Sequence, residues 1–146
     1  MKLSTKAQNL DILKKLRLKK SKIPKFLKCT VEEWISNKNE IAKNLREKLN
    51  KKIIIRSSYI LEDSEKYSMA GEFEGFPKVK KIKKDIFASV ASLIRQYKKK
   101  SNIRHHFLKS EIIFQNMILN TQLSGVLTNF CIKDGSFYYV INYDDI

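Results

Sequence analysis

Three consecutive isoleucines, Ile53-Ile54-Ile55, run without a break into Arg56-Ser57-Ser58. β-branched side chains are stiff at χ1 and suit a pleated, packed surface, so the run predicts a buried strand that delivers polar groups to its own tip. The following residues are polar and include Glu62-Asp63, then Ser68-Met69-Ala70-Gly71. The Ala70-Gly71 pair lets backbone approach a ligand closely. A fixed guanidinium followed by hydroxyl and backbone N–H donors on a loop suits phosphate. An arginine ending such a strand is expected to be half-buried and to need an anionic partner: a phosphate, or an internal salt bridge to Glu62 or Asp63.

The chain has 146 residues, enough for one domain with a real core and too few for two comfortable ones, so residues 1–146 read as a single domain. A hydrophobic fraction of 42% with four glycines and two prolines favours a folded domain over disorder. No apolar run reaches the roughly eighteen residues a membrane span needs. The opening Met1-Lys2-Leu3-Ser4-Thr5-Lys6 lacks the apolar segment of a secretory signal. Cys29 and Cys131 have no metal-ligand spacing to each other or to His105-His106, and read as buried small hydrophobes in a reducing cytoplasm.

The formal charge is +15, carried by 25 lysines and 5 arginines. Nucleic-acid binders more often concentrate arginine and aromatics on one face. Here the lysines spread over residues 14–28, 43–52, 78–84 and 98–100. A basic nucleic-acid-binding module is therefore the alternative reading, and non-specific adhesion at low salt is expected in any case.

Apolar periodicity predicts a helix over 4–18 and an extended stretch at 23–29, where Pro24 disfavours helix at Ile23. Thr30-x-x-Glu33 is a capping box, opening a helix that runs to about Asn50. The Ile53–Ile55 strand and its polar loop end near Phe76-Pro77. A second helix starts around Lys84, with Ile86, Phe87, Val90, Leu93, Ile94 and Tyr97 forming a broad apolar stripe. Residues 101–110 read as polar loop and 112–118 as a central strand. Residues 124–130 and 136–143 read as a hairpin turned by Asp134-Gly135. The order predicts an α+β fold, a mostly antiparallel sheet carrying helices on one side. An ending at Tyr143-Asp144-Asp145-Ile146, directly after a strand, suggests a fragment of a larger fold or an inactive truncation.

In order and spacing, Arg56-Ser57-Ser58, Glu62-Asp63 and Ser68-Met69-Ala70-Gly71 resemble a segment of the phosphoenolpyruvate synthase and pyruvate phosphate dikinase family. That segment lies in the family's N-terminal ATP-grasp-like nucleotide-binding domain. Lys6-Ala7-Gln8-Asn9-Leu10, with Ile23-Pro24 further on, resembles the family's opening GGK-x-x-NL and later IP, although Ser4-Thr5 replace the two glycines. Phe114-Gln115-Asn116-Met117-Ile118 resembles its VQ-x-MV strand, and Ser124-Gly125-Val126 its following SGV, a structural turn into the next strand.

The resemblance implies an incomplete ATP-grasp-like domain, the front portion of a kinase-type phosphotransferase that passes a phosphoryl group from ATP through a carrier histidine to an acceptor. It places Arg56 and Lys6 on the ATP phosphates and makes Ser57, Ser68 and Gly71 part of a flexible phosphate-covering lid. Gln115, Met117 and Ile118 fall beside adenine; on composition alone Gln115 and Met117 also read as core. The resemblance assigns no catalytic residue here. It places the magnesium carboxylates beyond Ile146 and the carrier histidine on a separate domain, which leaves His105-His106 as solvated loop. Family acceptors include pyruvate, an antibiotic hydroxyl and an amino-acid side-chain amide; the ending at 136–145 leans toward the last, a capsule-associated branch. Alone, the chain is expected to bind ATP weakly or not at all and not to turn over.

Overall fold

The computed structural model describes residues 5–16, 18–60, 63–64, 67–68, 72–100, 103–129 and 135–145, with the backbone alone at 63, 64, 67, 68, 104 and 145. The chain begins α1 (Lys6–Lys15), β1 (Phe26–Thr30), α2 (Val31–Lys48) and β2 (Lys52–Ser58). Two short strands follow, β3 (Asp63–Ser64) and β4 (Tyr67–Ser68), then β5 (Phe76–Lys80) and α3 (Lys83–Lys100). The remainder is α4 (Arg104–Lys109), β6 (Glu111–Asn116), β7 (Leu123–Thr128) and β8 (Val140–Asp145).

The α+β class expected from the sequence is the one observed, and every described strand pair is antiparallel. The main sheet has the order β1-β6-β2-β5. Apolar β6 lies inside it, between β1 and β2, as its near-continuous burial requires. Alternation along β2 sends Ile53, Ile55 and Ser57 to one face and Ile54, Arg56 and Ser58 to the other. The first face meets Trp34, Leu45 and Leu49 from α2 and its end, and Ile86, Val90, Leu93 and Tyr97 from α3, in the principal core. Trp34 sits at its centre, 5.4 Å from Phe87 and 5.8 Å from Phe114, ring centroid to centroid. Helices on one side holds for α2 and α3. The short α1 departs from it, because Ala7 packs on Phe26 and Ile113 of the opposite face.

The Thr30 capping box forms as its chemistry demands: Thr30 Oγ1 accepts from the Glu33 N–H at 3.1 Å, and Glu33 Oε2 accepts from the Thr30 N–H at 2.7 Å. The helix it starts is interrupted by a non-helical Asn37 (φ −130°, ψ 27°). At the far end of α2 the Lys81 ammonium donates to the carbonyls of Arg46 and Leu49.

Three elements differ from the sequence expectation. Phe76–Lys80 is a strand, not the end of a loop. It is an edge strand with one buried residue, Val79, and its bulge places Pro77 and left-handed Lys78 (φ 58°) where no regular ladder bond is needed. Residues 104–109 are helical, closed by Ser110, whose Oγ donates to the His106 carbonyl at 2.8 Å and accepts from the Ile60 N–H at 3.2 Å. Gly125 lies inside β7 and not in a turn; a Cβ there would stand 2.6 Å from the Asn142 carbonyl oxygen and 3.1 Å from Tyr143 Cβ.

Candidate functional site

The face of the sheet that carries α1 gathers the polar residues of three strands. Register puts Arg56 opposite Ile113, Ser58 opposite Glu111, and Lys28 opposite Ile113 from the other side. Residues opposite each other share a face, so Arg56, Ser58, Glu111, Lys28 and Gln115 all lie on the side covered by α1.

The N-terminus of α1 is fastened to that face. Thr5 is the N-cap: its Oγ1 accepts from the Gln8 N–H at 3.3 Å and the Gln8 side chain accepts from the Thr5 N–H at 3.1 Å, a second capping box. The Thr5 hydroxyl donates to Glu111 Oε2 at 2.8 Å, and the Ala7 N–H donates to Ser58 Oγ at 3.0 Å. The Ser58 N–H donates to the Tyr97 hydroxyl at 2.9 Å, which donates to the Glu111 carbonyl at 2.7 Å. One continuous chain of hydrogen bonds therefore joins the helix carrying Lys6 to the strands carrying Arg56 and Glu111.

Beside it, the Lys28 ammonium lies 2.8 Å from both Asp11 and Glu111. Burial works against its charge, but the hydrogen bonds and charges of Asp11 and Glu111 outweigh that and hold its pKa above the ordinary 10.5. Two of the site's carboxylates are thereby committed to one cation.

Arg56 is not at a strand tip and not half-buried. The strand continues through Ser57 and Ser58, which pair with Ile112 and Glu111, and leaves the Arg56 side chain exposed. The Arg56 side chain makes no hydrogen bond or ion pair among the described residues; Glu62 and the side chain of Asp63, its suggested internal partners, lie outside them. Ser57 is buried on the opposite face with Ile53 and Ile55, so the hydroxyl sharing a face with Arg56 belongs to Ser58. Lys6 is the first residue of α1 and half-buried, next in sequence to the Ala7 N–H held by Ser58.

The remaining candidates are spread out. Ser68 contributes backbone to β4, paired with Asp63 in β3, while Gly71 lies outside the described residues. Gln115 is buried on the α1 face, and its Nε2 donates to the Pro24 carbonyl at 3.4 Å, so part of its polarity is met within the protein. Met117 is half-buried just past β6, its N–H donating to the Lys52 carbonyl at 3.1 Å; Ile118 is exposed. His105 and His106 stand on α4, not in a loop, with His105 exposed. Among the described residues no three histidine, cysteine, aspartate or glutamate side chains are placed to hold a metal ion. Cys29 is buried, and desolvation, then the charges of Glu33 and Glu111, push its thiol up to about 12. Cys131 lies outside the described residues.

Sequence reasoning passed over Thr5, Asp11, Lys28 and Glu111. The Thr5-x-x-Gln8 pattern was a readable cap signal. Glu111 had no local signal, because its partners Thr5 and Lys28 lie 106 and 83 residues away in the chain.

No helix among the described residues is long and apolar enough to cross a membrane. No curated protein and no solved structure matches the chain significantly. A family model does, over residues 5–142, which takes in α1, its cap, the whole main sheet and most of the hairpin. The chain belongs to the family of the AMP/ATP-binding domain of pyruvate phosphate dikinase.

Proposed function

We propose that the α1 face of the sheet binds the phosphates of ATP, as the nucleotide-binding part of a phosphoenolpyruvate-synthase-like phosphotransferase with an ATP-grasp-like design. The observation that carries this reading is the pinning of α1. The hydrogen bond from the Ala7 N–H to Ser58 Oγ brings the helix N-terminus, with Lys6, against the strand that presents Arg56. A guanidinium with no internal counter-ion among the described residues can offer two parallel N–H donors to phosphate oxygens. The positive end of the α1 dipole adds to the same field.

In this reading Arg56 and Lys6 hold and neutralise the phosphates, and Ser58 and Glu111 keep α1 in place. The segment containing Ser68 and Gly71 closes over the phosphates, and Met117 and Ile118 flank the base. Phosphoryl transfer asks mainly for positioning and charge neutralisation, which these groups supply. The described residues do not fit a magnesium site, since Asp11 and Glu111 are engaged by Lys28. Magnesium would be held, and the phosphoryl group received by a carrier histidine, outside these residues, with His105 and His106 playing no part. The acceptor would be a small molecule or an amino-acid side chain, and the reaction cytoplasmic.

Isothermal titration of Mg-ATP into the wild type and Arg56→Ala, with amide chemical-shift mapping, tests the site. Weak binding is expected, with shifts concentrated at residues 6–9 and 56–58 and a loss of about tenfold or more in the variant, the scale of one charge-assisted contact. Equal heats for the two proteins, or shifts confined to other surfaces, would remove Arg56 from the site.

A further inference from the structure

We infer that the groove between α2 and α3 is a docking surface for an acidic amphipathic helix of a partner protein. The groove encloses about 330 Å³ and is lined by Trp34, Ile35 and Lys38 from α2 and by Ala91, Ile94, Arg95 and Lys98 from α3. Its floor is rigid, because Trp34 is buried and braced by Phe87 and Phe114. Its lip carries Ile35, which is 55% exposed.

Three cations surround this apolar surface and no carboxylate lines it. Three cations elsewhere find acids: Lys28 meets Asp11 and Glu111, Lys100 meets Glu72, and Lys109 meets Glu32. Lys38, Arg95 and Lys98 form no ion pair among the described residues. Lys38 and Lys98 rest instead over the rings of Phe87 and Phe107, at 5.8 and 5.4 Å from the centroids.

An apolar strip rimmed on both helices by positive charge is complementary to a helix with apolar residues at i, i+3 or i+4 and carboxylates on its flanks. Two neighbouring helices form a natural cradle for a third, packed at the usual 8–10 Å between axes. Nucleic acid would use the cations but leave Ile35 and Ile94 in water. A second copy of a chain with net charge +15 would bring like charges together. The groove lies on the sheet face opposite Lys6 and Arg56, so the inference is independent of nucleotide binding.

A display library of helical peptides of about sixteen residues, roughly 24 Å long, selected against the full chain gives the test. Selected peptides are then titrated into the protein while following Trp34, its single tryptophan. Enriched peptides are expected to be net acidic with apolar pairs at i, i+3 or i+4, and to change Trp34 emission. Arg95→Glu and Ile35→Glu, both at exposed positions, should each weaken binding by roughly tenfold or more. Lys20→Glu, exposed elsewhere, should leave affinity within about twofold, and ATP titrations should be unchanged for all three variants. Failure to enrich any peptide, enrichment of peptides without acids, equal competition by polyglutamate of the same length, or affinities indifferent to Arg95→Glu and Ile35→Glu would each overturn the inference.

Discussion

Removing one hydroxyl, in Tyr97→Phe, tests whether the site's hydrogen-bond chain holds the α1 face together. The Tyr97 oxygen accepts from the Ser58 N–H and donates to the Glu111 carbonyl, at 2.9 and 2.7 Å. Tyr97 and Ser58 are both fully buried. The variant keeps the ring and its contacts with Tyr59 and Phe73, at 5.4 and 5.2 Å between centroids, so little apolar packing is lost. What changes is that a buried N–H loses this acceptor, at about 1–3 kcal/mol, while a carbonyl loses one donor, at less. The expected loss is about 2 kcal/mol. With a urea slope of about 2 kcal/mol/M, ordinary for a chain of this size, the unfolding midpoint should fall by about 1 M. Circular dichroism and Trp34 fluorescence should report the same midpoint. Amide exchange at Ala7, whose acceptor is the Ser58 hydroxyl, should quicken relative to amides of α2. A midpoint shift below about 0.3 M with unchanged exchange at Ala7 would refute the reasoning, because Ser58 would then be held without Tyr97.

Thr30→Ala removes the cap of α2 and should cost about 1 kcal/mol in urea unfolding, with Thr30→Gly costing less per lost contact. Cys29 should resist iodoacetamide at pH 8 in the native protein and react once unfolded, since its thiol is pushed to about 12 from 9.0. Lys28 and Cys29 both bind their protons more tightly folded than unfolded. Their contribution to stability is therefore complete below about pH 9 and lost as pH rises toward 12, so melting temperatures should hold level up to about pH 9 and fall from there to pH 11, less steeply in Cys29→Ala. Gly125→Ala should weaken the β7–β8 pairing, read as loss of cross-strand NOEs between Gly125 and Tyr143, because the new methyl meets the Asn142 carbonyl.

What was readable beforehand depended on how local the physics was. The Thr30 cap, the α3 stripe and the apolar β6 strand each announce themselves within a few residues, and each formed as expected. Strand β5 did not, because an edge strand needs only one buried side chain and tolerates Pro77 at a bulge, which on paper resembles a loop. The site was partly legible. Arg56 and Lys6 stood out by resemblance, and the structure gathers their elements on one face. Glu111 was invisible, since a glutamate before an apolar run says nothing until register sets it opposite Ser58 and within reach of Lys28 and Thr5. The faces of Ser57 and Ser58 were not legible either: two adjacent serines in a strand point opposite ways, and only the position of the helices says which is which.

Under the proposed function, that alternation would let one short strand serve stability and binding together. Ile53, Ile55 and Ser57 belong to a dry face whose neighbours are Leu93, Val90 and Phe114, and there truncation of a large side chain costs about 2–5 kcal/mol. Ile54, Arg56 and Ser58 belong to a face only partly covered by the ten-residue α1, which leaves Arg56 in solvent where a polyanion can reach it. A longer helix there would bury the guanidinium and demand a permanent carboxylate beside it. The existing carboxylates, Asp11 and Glu111, are taken by Lys28 instead. In the proposed reading Lys28 would act on the site indirectly, by occupying the acids that would otherwise compete with phosphate for Arg56 on the shared face. On this logic Lys28→Met should weaken ATP binding even though Lys28 itself stands beside no phosphate, because it frees Glu111 to turn toward Arg56. Restoring affinity in Lys28→Met by adding Glu111→Gln would separate that electrostatic role from simple loss of fold; failure of the second change to restore it would show that Lys28 acts only by holding α1.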